Sequence, residues 1–136
     1  MRRYLAIVAV LFVSVLAGCG DSSTGPNDSI AGSYALRTVN GRPMPFIFEE
    51  YAGYKDGWVS ETITIRDNGT FQQEGSFRVT QNGVVTNDPY SDNGTYSRNG
   101  TNVTFRFNSD GSSATATVDN GALIVALDGV SLIYRR

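Results

Sequence analysis

The chain of 136 residues contains no histidine, one cysteine and one tryptophan, and Lys55 is its single lysine. Without histidine the usual general base and the commonest metal ligand are missing, which leaves Asp, Glu, Tyr and Ser as the available chemistry. With Cys19 alone, neither an intrachain disulfide nor a cysteine-based metal site can form. No serine has a histidine to activate it, and Lys55 stands in no Ser-x-x-Lys spacing. Neither an enzyme nor a cofactor is therefore expected. Asp88, Asp92, Asp110, Asp119 and Asp128 fall outside any Asp-x-Asp-x-Asp-Gly spacing, and each sits where turn chemistry favours an Asx residue, so no metal site is expected either. A basic face is also lacking, because beyond the first residues the arginines cluster only at Arg135-Arg136; nucleic acid is not an expected partner.

Long apolar runs are scarce too. The one that exists, Tyr4 to Leu16, follows Met1-Arg2-Arg3 and falls short of the roughly 20 residues a spanning helix needs. A positive start followed by a short apolar stretch is the layout of a signal peptide. The stretch ends in Leu16-Ala17-Gly18-Cys19, which resembles the lipobox of bacterial lipoproteins. That resemblance implies cleavage after Gly18 and a diacylglyceryl group on the Cys19 thiol, holding the protein to a membrane. Each buried methylene of such a chain adds about 0.8 kcal/mol, so two or three chains make attachment effectively permanent. The competing reading is an uncleaved N-terminal anchor with Cys19 as a bystander. Gly20, not Asp, follows the cysteine, which favours the outer over the inner membrane of a bacterial cell envelope.

The expected organisation is a signal peptide over 1–18, a lipidated cysteine and flexible tether over 19–29, and one domain over 30–136. Removing the first 18 residues leaves 118, enough for one core and too few for two. Arg2 and Arg3 go with the signal, so nine basic residues face thirteen acidic ones, a mature balance of −4. Gly20 to Ser29 has no apolar side chain except Pro26 and should act as a spacer reaching about 17 Å.

From Ile30 onward, Asn-Gly recurs at 40-41, 68-69, 82-83, 93-94, 99-100 and 120-121, and Asp-Gly at 56-57, 110-111 and 128-129. These dipeptides favour the tight turns that join antiparallel strands. They also make Asn68, Asn93 and Asn99, each followed by Gly-Thr, hairpin turns and not glycosylation sites. Between them the pattern alternates: Val103, Phe105 and Phe107 in one phase, Thr104 and Arg106 in the other. Eight strands are expected, at about 32–39, 58–66, 70–81, 93–98, 102–108, 113–119, 122–127 and 130–135. Short connections and the need to remove unpaired edges point to an all-β, eight-stranded antiparallel up-and-down barrel, with a two-sheet sandwich as the alternative. Pro45 to Tyr54 is read as one or two helical turns beside the barrel mouth.

A resemblance enters with Gly32-Ser-Tyr34-Ala-Leu36-Arg-Thr-Val39-Asn-Gly41-Arg-Pro43 and Pro45, reinforced by Asp67-Asn-Gly-Thr-Phe71, Gly94-Thr-Tyr96 and Leu132-Ile-Tyr134-Arg135-Arg136. These segments resemble the lipocalin-like domains of bacterial lipoproteins, and META-type domains share the Asn-Gly-x-x-x-Pro feature. The lipocalin-like resemblance implies a small calycin-type barrel, no enzymatic activity and an apolar ligand. Relative to true lipocalins the chain is short, and Tyr34 stands where tryptophan is usual.

The candidate ligand-binding residues are Phe46, Phe48, Tyr51, Trp58, Glu61 and Gln73. The first four belong to an aromatic-rich stretch that either lines the barrel mouth or caps the core; the capping reading is favoured because an eight-stranded barrel is filled by its own side chains. Glu61 shares a phase with Val59, Ile63 and Ile65, so it either points inward and needs a partner or, as favoured, is solvated ahead of a strand starting at Thr62. Gln73 shares the inward phase of Phe71 and Phe77. Two function classes follow: a membrane-anchored envelope module that binds a small apolar molecule or lipid, or a packed, ligand-free barrel serving as a structural or protein-interaction domain. A monomer is expected in either case.

Overall fold

The computed structural model describes residues 28–136; the readings for 1–18, for Cys19 and for the tether as far as Asn27 lie outside the described residues. The described chain is all β: β1 (Gly32–Val39), β2 (Arg42–Pro43), β3 (Phe46–Tyr51), β4 (Tyr54–Ile65), β5 (Thr70–Gln81), β6 (Val84–Asn99), β7 (Asn102–Phe107), β8 (Ser113–Asp119), β9 (Ala122–Leu127) and β10 (Val130–Arg135). Strands β4 to β10 follow one another as neighbours, β10 pairs with β1, and β1 pairs with β4. The result is a closed, eight-stranded antiparallel up-and-down barrel, which rules out the sandwich. The short β2 and the hairpin strand β3 lie outside the ring, against β1 and β4 respectively.

Four of the expected turns have positive φ at both central residues: Asn40-Gly41 (50° and 76°), Asn82-Gly83 (50° and 81°), Asn120-Gly121 (46° and 75°) and Asp128-Gly129 (48° and 81°). That conformation matches the right-handed twist of the strands it joins. Two other dipeptides are not turns. Asp56-Gly57 lies within β4 and Asn93-Gly94 within β6, so the hairpin reading of Asn93 is corrected. Gly94 is needed there for close approach, because a Cβ would stand 1.9 Å from the Arg106 carbonyl oxygen and 2.8 Å from the Phe71 ring. Asp88 and Asp92 likewise lie in β6 and not in turns.

Pro45 to Tyr54 is also corrected, because most of it is a β-hairpin. β3 runs antiparallel to the first half of β4, from Phe46 opposite Trp58 to Tyr51 opposite Tyr54. In the same way β6 begins at Val84, nine residues before the expected start, and its first half pairs only with β5. These longer strands form an arm projecting past the barrel wall. With most of its side chains at least partly exposed, the arm has no strict in-out alternation to reveal it.

The barrel is filled. Tyr34, Ile65, Phe71, Val103, Phe105, Leu123 and Tyr134 are fully buried in one continuous core. One end is closed by Ile30, whose carbonyl accepts the Tyr34 hydroxyl at 2.8 Å. At that end the Arg136 guanidinium lies 5.0 Å from the Tyr34 ring centroid and donates to the carbonyls of Ser29 (3.3 Å) and Ala31 (3.1 Å). Arg98 donates to the Asp28 carbonyl. Asp28 and Ser29, assigned to the tether by composition, are thus bonded to the barrel end. The arm and the turns after β1, β7 and β9 surround the opposite end, the mouth.

Candidate functional site

The mouth holds a groove of about 430 Å³. Phe46, Phe48 and Trp58 form one wall, and Val39, Leu127, Val130 and Leu132 the other, with Asn40 and Asp128 as polar residues in its lining. Phe48 stacks on Trp58 with ring centroids 6.4 Å apart and packs edge-on to Phe46 at 5.5 Å. Phe48 is 52% exposed and Leu127 47%, so two large apolar side chains of the groove face water. The stacking continues from Trp58 through Phe77 (5.8 Å) to Tyr90 (5.0 Å).

Trp58 reaches the inner face through a local irregularity. The register of β4 against β5 slips between Trp58 and Ser60, so residues 58 and 61, three apart, both face inward. Val59, expected in the inward phase, instead lines an outer pocket with Ile47 and Arg78.

Glu61 is the buried carboxylate of this barrel, 3% exposed, which corrects the favoured reading of a solvated side chain. Its two oxygens accept the hydroxyls of Tyr90 and Tyr134, and the Trp58 indole N–H donates to the Tyr90 oxygen at 2.7 Å. A buried carboxylate is tolerable only when so satisfied. Strand register assembles the group: Glu61 on β4 faces Gly75 on β5, which faces Tyr90 on β6. Burial first, and then the Glu61 carboxylate by hydrogen bond and charge, pushes Tyr90 far above the ordinary tyrosine range. Tyr134 is raised likewise, by burial and then by the charge and hydrogen bond of Glu61.

A smaller cavity of about 180 Å³ opens toward the same end, between Phe71, Phe105, Phe107, Leu127, Leu132 and Tyr134. Gln73 lines it, as its inward phase predicts. Of the expected ligand-binding residues, the structure therefore brings Phe46, Phe48 and Trp58 to the groove, Glu61 beneath them and Gln73 to the inner cavity. It does not bring Tyr51, which is 58% exposed at the hairpin end and stacks on Tyr54 at 4.9 Å. Tyr90 and the groove wall formed by β1, β9 and β10 were not foreseen. The available signal was Gly75, a residue without a side chain in an inward phase, which marks a large neighbour crossing over it.

Comparison with protein-family models, with curated proteins and with solved structures yields no match.

Proposed function

We propose that this chain is a lipid-anchored envelope lipoprotein of lipocalin-like type whose barrel mouth binds a small apolar molecule. The observation that supports binding is the groove itself, within the roughly 300–1,000 Å³ range of ligand sites and walled by apolar side chains of which Phe48 and Leu127 are half exposed. The packed core leaves the mouth as the place for the ligand's apolar body. Trp58 is the only tryptophan and lies in the groove, so its emission reports occupancy. A panel of fatty acids, retinoids and quinones should include members that quench or shift that emission saturably. If none does so up to its solubility limit, the binding reading is rejected.

The second reading, an interaction domain without a ligand, draws support from the arm. Val84 and Val85 at its tip are 67% and 56% exposed, and the first half of β6 pairs on one side only.

Anchoring rests on Leu16-Ala17-Gly18-Cys19, with the outer membrane favoured by Gly20. Asp28 lies at the closed end of the barrel, opposite the groove. Cys19→Ser should abolish incorporation of labelled palmitate; undiminished labelling would reject the lipobox.

A further inference from the structure

We propose, on the basis of the groove reading, that the ligand is an amphiphile with a neutral hydrogen-bonding end, its apolar body in the mouth groove and its end at Gln73. Leu127 and Leu132 line both the groove and the inner cavity, so the two spaces are neighbours across those side chains. The inner cavity, about 180 Å³, is smaller than a site for a whole ligand and large enough for a head group.

The polar groups there are unequally occupied. Of the polar side chains lining the cavity, the Tyr134 hydroxyl is committed to Glu61, while Ser112 and Ser113 are exposed. The Gln73 amide, by contrast, makes no hydrogen bond within the described residues. It offers two donors and an acceptor to whatever enters.

Charge selects the end group. Gln73 pairs with Asp92 across β5 and β6, and sits diagonally from Glu61, which faces Gly75 on the next strand. Asp128 lies in the groove lining. Neither the groove nor the inner cavity is lined by a lysine or arginine; Arg42 lies over the Phe46 ring at 5.4 Å, and Lys55 and Arg78 line the outer pocket. A ligand carboxylate at Gln73 would be buried among carboxylates without a counterion, a placement that is costly in a low-dielectric site. An ammonium would lose its hydration, while the Glu61 oxygens already hold two hydroxyl protons. An alcohol or amide avoids both costs.

The test compares dodecanol, dodecanoate and dodecylamine, which share one apolar chain, by Trp58 emission on the purified full chain at neutral pH. Dodecanol should bind about tenfold tighter than either charged compound. Gln73→Leu, and Gln73→Met as a second apolar replacement, should remove that preference while saturable binding persists. Dodecanoate or dodecylamine binding as tightly as dodecanol overturns the inference and leaves the groove reading standing, as does an unchanged preference in both variants. No saturable response to any of the three compounds in the wild-type chain overturns both.

Discussion

The ring of Tyr90 occupies the space a side chain at Gly75 would need: a Cβ there would come within 2.3 Å of both Tyr90 Cζ and its hydroxyl oxygen. The two residues face each other across β5 and β6, and the bare glycine lets the tyrosine lie over β5 and reach Glu61 on β4. Gly75→Ala should therefore displace the ring and break the chain from Trp58 through Tyr90 to Glu61. A loss of about 1–3 kcal/mol is expected, typical of overpacking, with a change in Trp58 emission because the indole loses its acceptor. Denaturant unfolding and fluorescence on one sample check both; an unaltered protein would mean that the glycine is not required for the crossing.

Glu61 and its tyrosines should behave as a unit. Glu61→Leu leaves two inward hydroxyls without their acceptor, at about 1–3 kcal/mol for each that finds no other partner. Adding Tyr134→Phe to that variant should cost less than Tyr134→Phe costs in the wild-type chain, since the hydroxyl it removes no longer has a carboxylate to meet. A double-mutant cycle measured by chemical denaturation decides the matter, and strict additivity would show that the hydrogen bond seen between Tyr134 and Glu61 carries no coupling.

The barrel was legible because its strands obey a simple alternation between Gly-marked turns, and the eight expected strands are the eight of the ring. Val103 opposite Ala116 and Phe105 opposite Ala114 show why: every second side chain must fit a crowded interior, so the pattern is strict. At the site the pattern fails for three physical reasons. The register slip near Val59 reverses the phase between Trp58 and Glu61, which no period-two reading anticipates. The arm strands satisfy their backbone by pairing and most of their side chains are at least partly exposed, so alternation does not place Tyr90 in a strand. The partners of Glu61 come from β6 and β10, 29 and 73 residues away, a proximity set by barrel closure.

Alkaline pH should act through the same cluster. The Tyr90 and Tyr134 hydroxyls are raised above the free tyrosine value of about 10 by burial and by Glu61, so the folded state holds protons that the unfolded state releases. The stability they contribute is complete below about pH 10 and declines as pH rises beyond it. In a spectrophotometric titration these two tyrosines should ionise only together with loss of the β spectrum. Glu61→Gln removes the charge that opposes a phenolate, so the onset should move to lower pH. An onset identical in both proteins would contradict the assignment.

Phe48 and Phe105 separate binding from stability. Phe105 is fully buried and packs edge-on against Phe71 with centroids 4.9 Å apart, so Phe105→Ala should cost about 3–5 kcal/mol through the cavity it leaves. Phe105 is absent from the groove wall but borders the inner cavity, so the folded fraction of that variant should still hold an apolar body in the groove, and its loss of stability should exceed any loss of affinity. Phe48 is half exposed on a strand paired on one side, so Phe48→Ala should change stability by less than about 1 kcal/mol. Its stacked ring forms groove wall, however, and losing it should weaken an apolar ligand by about 1–3 kcal/mol. Thermal unfolding and Trp58 titration of both variants, with the same retinoid or alcohol, should give opposite rankings. If Phe48→Ala lowers stability as far as Phe105→Ala and leaves affinity unchanged, the aromatic wall is core and not a binding surface.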